Sequence, residues 1–89
     1  MAAVIKIVAR ADGSHSPEAG DYVVEFDHDA YRGRGMLKSL PDPRYALRFA
    51  DKAAAMEFWR RTSALRPIRP DGEPNRPLTA YTVEIMDVE

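Results

Sequence analysis

One stretch, Asp51 to Leu65, does most to decide what this chain can fold into. At about 100° per residue, Ala54, Ala55, Phe58, Thr62 and Leu65 fall on a single stripe with Trp59 at its edge. Lys52, Ala53, Glu57, Arg60 and Ser63 lie away from that stripe. Asp51 suits an N-cap, where its carboxylate accepts from an amide of the first turn. The alanines, Met56 and Glu57 that follow favour helix. Glu57 stands four residues before Arg61, the favourable direction for an ion pair along a helix. Pro67 closes the segment by pushing Arg66 out of the helical region. A lone helix with one apolar stripe cannot bury it on itself, so the remaining residues must supply a sheet.

They carry the pattern for one. Val4 to Val8 is short and β-branched, with Ile5 and Ile7 on one face and Val4, Lys6 and Val8 on the other. Ala11 to Gly20 is loop by composition. Tyr22 to Asp27 alternates, sending Tyr22, Val24 and Phe26 one way and Glu25 and Asp27 the other. Residues 28–43 show no period, apart from a brief return of Met36-Leu37 to the sheet. A loop that long in a small domain is usually functional or disordered. Arg44 to Phe49 alternates again and predicts a strand with Tyr45, Leu47 and Phe49 on one face. Four prolines and Asp71-Gly72 make residues 66–77 a stiff connection. Thr79 to Ile85 is the last strand, with Tyr81, Val83 and Ile85 inward. The expected fold is a single α+β domain over residues 1–89. It is a small antiparallel sheet of three to four strands in the order β-β-β-α-β, with one amphipathic helix on one face.

Composition narrows the class. With 89 residues, 45% hydrophobic and 30% charged, the chain is globular rather than disordered. It has no cysteine, which excludes disulfides and thiolate metal sites. Its apolar runs are far short of the roughly 20 residues a membrane span requires. Met1 to Ala9 lacks the pattern of a secretory leader, so the expected location is cytoplasmic. The net charge of −1 hides a strong segregation. Residues 1–31 sum to −4, residues 32–77 to +6 and residues 78–89 to −3. A basic face is therefore more plausible than the total suggests.

The run Arg69-Pro70-Asp71-Gly72-Glu73-Pro74-Asn75-Arg76-Pro77-Leu78-Thr79-Ala80-Tyr81-Thr82-Val83-Glu84-Ile85 resembles the C-terminal segment of small uncharacterised bacterial proteins, some of them prophage-associated. Ala46 to Asp51 leading into Ala55-Met56-Glu57-Phe58-Trp59-Arg60 fits the same pattern. The resemblance covers roughly the C-terminal half and implies no activity, cofactor or site residue.

No G-x-S-x-G, phosphate-binding loop, dinucleotide fingerprint, HExxH or cysteine nucleophile occurs, and Ser14-His15-Ser16 has no base–acid partner visible in sequence. The expectation is a protein that is not an enzyme and uses no cofactor or metal. Asp27-His28-Asp29 has the residue types of a metal site, but consecutive side chains on a strand point to opposite faces, and a strand running into a solvated loop accounts for them. Tyr31-Arg32-Gly33-Arg34-Gly35 resembles one copy of the arginine–glycine elements used in flexible RNA contacts, whereas a mobile loop tip explains it more simply. Arg60, Arg61, Arg66, Arg69 and Arg76 crowd the helix end and the proline-rich loop. The helix dipole accounts for Arg60 and Arg61; with Arg32, Arg34 and Lys38 the set also suits a phosphate-binding face. Trp59 offers a stacking platform, though at the edge of an apolar stripe it reads as core.

The leading expectation is a non-enzymatic binding module acting through a protein partner or as a homodimer, with Val4, Val8, Val23 and Met86 making the second sheet face apolar. The alternative is a small nucleic-acid-binding protein using residues 32–77. The candidate binding residues in either case are Arg32, Arg34, Arg60, Arg61, Arg66, Arg69 and Arg76.

Overall fold

In the computed structural model, which describes residues 2–88, the β-branched run near the start becomes β1 (Ala2–Arg10). β2 (Tyr22–Asp27) meets it antiparallel at Lys6 opposite Tyr22, and β3 (Met36–Leu40) pairs antiparallel with β2. β4 (Tyr81–Val88) pairs along the whole of β1, from Ala2 opposite Val88 to Arg10 opposite Tyr81. The order across the sheet is β3-β2-β1-β4, so β1 is central beside its full-length partner. The helix, Lys52–Trp59, packs on β1 and β4. The chain is an α+β fold.

The core lies between helix and sheet. Ala3, Ile5 and Ile7 of β1, Val23 and Phe26 of β2, Ala55 of the helix and Leu78 form its buried centre. Phe49, Phe58, Trp59, Val83 and Ile85 pack around it, with the Phe49 and Phe58 rings 5.1 Å apart. Trp59 donates its indole N–H to the Tyr81 carbonyl at 3.2 Å. It is a half-buried core residue, and its polar edge is spent on β4. Among the described residues no helix is long and apolar enough to cross a membrane.

Three local expectations are overturned, two by competing hydrogen bonds and one by a bulge. The helix starts where expected: the Asp51 carboxylate accepts from the Ala54 amide at 2.8 Å. It ends after Trp59 rather than at Leu65. Beyond that point the backbone donors find non-helical acceptors: Ser63 N–H donates to the Asn75 carbonyl at 2.9 Å, Leu65 N–H to the Asp29 carboxylate at 3.1 Å. Thr62 and Leu65 are consequently exposed, not buried. Arg61 falls outside the helix, and its guanidinium sits over the Phe58 ring at 5.1 Å instead of pairing with Glu57.

The Arg44–Phe49 strand is also absent. Asp42 accepts from the Arg44 amide at 2.9 Å and holds its guanidinium at 2.7 Å, winding Pro43–Tyr45 into a 3-10 turn that leaves Tyr45 exposed. Phe49 still packs on the core, and Ala46 is the buried residue of this stretch. Phe49 exchanges two backbone hydrogen bonds with Ala3, both 2.9 Å, and Leu47 N–H donates to the Val23 carbonyl. The third strand of the sheet is instead Met36–Leu40, which extends the brief return expected at Met36-Leu37 to five residues.

In β2 the register shifts between Val23 and Glu25, so Val24 is an extra residue opposite β3. A bulge of this kind advances the alternation by one. Val23 and Phe26 face the core in place of Tyr22, Val24 and Phe26. This also thins the second face: of Val4, Val8, Val23 and Met86, two (Val4 and Val23) are fully buried within the chain.

Candidate functional site: an arginine strip over a polar clamp

The segment after β2 is held by a clamp of three side chains far apart in sequence. The Asp29 carboxylate accepts from Ser63 Oγ at 2.7 Å and from the Leu65 amide at 3.1 Å. Ser63, itself fully buried, accepts from the Arg66 amide at 3.1 Å. Asn75 Nδ2 donates to the carbonyls of Gly33 and Arg66, each at 2.8 Å. The Leu65 amide and the Ser63 hydroxyl favour the ionised carboxylate and hold Asp29 below its ordinary value. The clamp ties the 29–33 turn to the helix exit and to the proline-rich loop.

That loop is a small hairpin in its own right. Asn75 N–H donates to the Pro67 carbonyl at 2.8 Å and Arg69 N–H to the Glu73 carbonyl at 2.8 Å, around a turn with Gly72 at φ 87°. Its stiffness fixes where Arg66, Arg69 and Arg76 leave the surface.

The clamped turn has an uncommon backbone. Tyr31 and Arg32 both sit in the left-handed region, at φ 52° and φ 59°, and Gly33 follows at φ 87°. Each non-glycine residue there costs about 1–2 kcal/mol. Gly33 is obligatory, because a Cβ would lie 2.7 Å from the Arg66 Cβ and 2.9 Å from Asn75 Nδ2. At Gly35 a Cβ would lie 2.4 Å from the Phe26 ring. The arginine–glycine element is therefore not a mobile loop tip. Its glycines are packing contacts, while Tyr31, Arg32 and Arg34 beside them are exposed.

All seven candidate arginines line one connected surface. Arg34, Arg60, Arg69 and Arg76 share a hollow with Glu73. Arg60 and Arg76 extend into a second with Arg61 and Glu57. Arg34 extends into a third with Arg32, Arg66 and Tyr31. Lys38 lies on β3 opposite Glu25 and lines none of the three. Arg69 pairs with Asp71 at 3.3 Å; among the described residues the other six have no ion pair. Arg76 is half-buried, with a buried Nε that has no hydrogen-bond acceptor among the described residues. The surface is thus an array of positive charges with Glu57, Glu73 and the Arg69-bound Asp71 among them, and at one end Arg61 also lines a hollow with Glu25, Asp27 and Asp29.

The remaining candidates are structural. His28 is buried edge-on between the Phe26 and Phe58 rings, both centroids 4.8 Å away, and its Nε2 bonds the Phe58 carbonyl at 3.1 Å. Burial pushes its pKa below the ordinary value. Asp27 and Asp29 are exposed to either side, and among the described residues no group of histidine and carboxylate side chains is placed to hold a metal. Ser14 is committed to the Asp12 carboxylate at 2.6 Å.

The sequence pointed to the arginines and to the glycines between them. The clamp of Asp29, Ser63 and Asn75 gave no signal, since the bonds that join the 29–33 turn to the rest span 34 to 42 residues and no short pattern marks them. Tyr31 was visible only as part of the arginine–glycine run. No family model matches the chain, and no curated protein or solved structure matches it.

Proposed function

We propose that this chain is a non-enzymatic binding module that holds a nucleic acid along the arginine strip. The observation that carries this reading is the gathering of Arg32, Arg34, Arg60, Arg61, Arg66 and Arg76 on one connected surface with no ion pair of their own among the described residues. Like charges held in proximity by a rigid scaffold repel one another weakly in water, and together they favour the binding of an anion. A repeating phosphodiester matches such a row better than a single carboxylate, and arginine binds phosphate oxygens with two parallel donors. The overall charge of −1 limits long-range attraction, so affinity is modest and confined to the strip.

Self-association through the second sheet face has less support, because Val4 and Val23 are interior and only Val8 and Met86 remain accessible there. The deciding experiment measures fluorescence anisotropy of labelled RNA and DNA oligonucleotides at low ionic strength. Binding by the wild type, lost in R34A/R60A/R76A and kept in Arg44→Ala, is the expected result; Arg44 already pairs with Asp42, away from the strip. Absence of binding by the wild type contradicts the reading.

A further inference from the structure

We infer that Tyr31 is a stacking platform for an unpaired nucleobase, so that the strip takes single strands in preference to duplexes. This rests on the proposed nucleic-acid reading and adds to it what the arginines alone do not specify.

Three observations meet at Tyr31. The first is its exposure: 68% of the residue is accessible, more than Leu65 or Tyr45. The second is its surroundings, because the hollow it lines is completed by Arg32, Arg34 and Arg66, none of which has an ion pair among the described residues. The third is an unoccupied ring face. Tyr22 has Lys6 over it at 5.8 Å, Tyr45 has Arg44 at 6.0 Å and Phe58 has Arg61 at 5.1 Å. Among the described residues no cation sits over Tyr31, although three arginines share its hollow.

The backbone reinforces this. A tyrosine in the left-handed region is strained, and such conformations persist only where their surroundings fix them. Here the clamp through Asp29, Ser63 and Asn75 does so. Glycine would fit the turn with less strain, and the ring contributes nothing to the core. An aromatic face held outward among phosphate-binding groups is the arrangement that grips single strands, where a base stacks while its flanking phosphates meet arginines. In a duplex the bases are already stacked and paired, and only the phosphates are offered.

Tyr31→Gly provides a clean test, because it relieves strain and keeps the turn folded. Three probes are compared: a labelled oligothymidylate, a duplex of the same length, and inorganic polyphosphate as a backbone without bases. The expected result is that wild type binds oligothymidylate more tightly than duplex. Y31G should lose roughly 5- to 150-fold on the single strand, with an unchanged salt slope and unchanged polyphosphate binding. Tyr31→Phe should retain the single-strand affinity. Equal oligothymidylate affinity for wild type and Y31G overturns the platform; if R34A/R60A/R76A still abolishes binding, the strip itself stands. If the wild type binds none of the probes, both the strip and the platform fall.

Discussion

At the scale of single residues, the polar groups beneath the strip do work that their sequence neighbours do not reveal. Ser63 is fully buried and serves Asp29 and the Arg66 amide at once. Ser63→Ala removes the two hydrogen bonds made by a fully buried hydroxyl, and denaturant unfolding should register a loss of about 1–3 kcal/mol. His28 makes stability depend on pH. In the unfolded chain its imidazole takes up a proton near pH 6.5, whereas burial between two phenyl rings delays that to lower pH in the fold. The unfolded state therefore binds more protons between those two values. The His28 contribution is complete above pH 6.5 and is lost as pH falls from there toward the lower folded value. Thermal melts between pH 7.5 and 4.5 should show this decline in the wild type and a weaker one in His28→Gln. Identical profiles would mean that the buried ring does not titrate.

At the scale of elements, what could be read from the sequence depended on whether a segment's hydrogen bonds were local. The cap at Asp51, the β-branched β1 and the last strand were legible because short-range pattern decides them. The helix end was not. Its periodicity continues to Leu65, but Asp29 and Asn75 take the amides of Leu65 and Ser63, and nothing near residue 63 announces either. β3 was only half legible: Met36-Leu37 was read as a brief return to the sheet, but Met36–Leu40 is an edge strand whose residues are half-buried or exposed, so no apolar run marks its full length. The bulge at Val24 is likewise a matter of pairing with β3, invisible in a sequence that alternates cleanly. The difference in helix length has a measurable consequence. Leu65 is 65% exposed, and Leu65→Ala should change stability by less than about 0.5 kcal/mol. Ile7→Ala, in the buried centre, should cost about 2–5 kcal/mol. A Leu65 loss as large as that of Ile7 would restore the long helix.

For the molecule as a whole, charge segregation along the chain survives folding in part. Lys38 lies opposite Glu25, Lys52 pairs with Asp87 and Arg61 shares a hollow with Asp27 and Asp29, while the other strip arginines stay together. The basic middle segment, +6 over residues 32–77, supplies all seven arginines of the strip, and the fold gathers them from a turn, a helix end and a hairpin. The sequence carried the composition of this surface but not its continuity, which depends on the clamp that sets the turn against the hairpin. That continuity is the central claim, and the ionic-strength dependence of oligonucleotide binding tests it most directly. Each phosphate neutralised on a single strand contributes about −0.7 to the slope of log affinity against log salt. A continuous strip engaging three to five phosphates gives a slope of about −2 to −3.5 between roughly 50 and 200 mM salt, made shallower by each of Arg34→Ala, Arg60→Ala and Arg76→Ala. A slope near zero, or one that those substitutions leave unchanged, would contradict it.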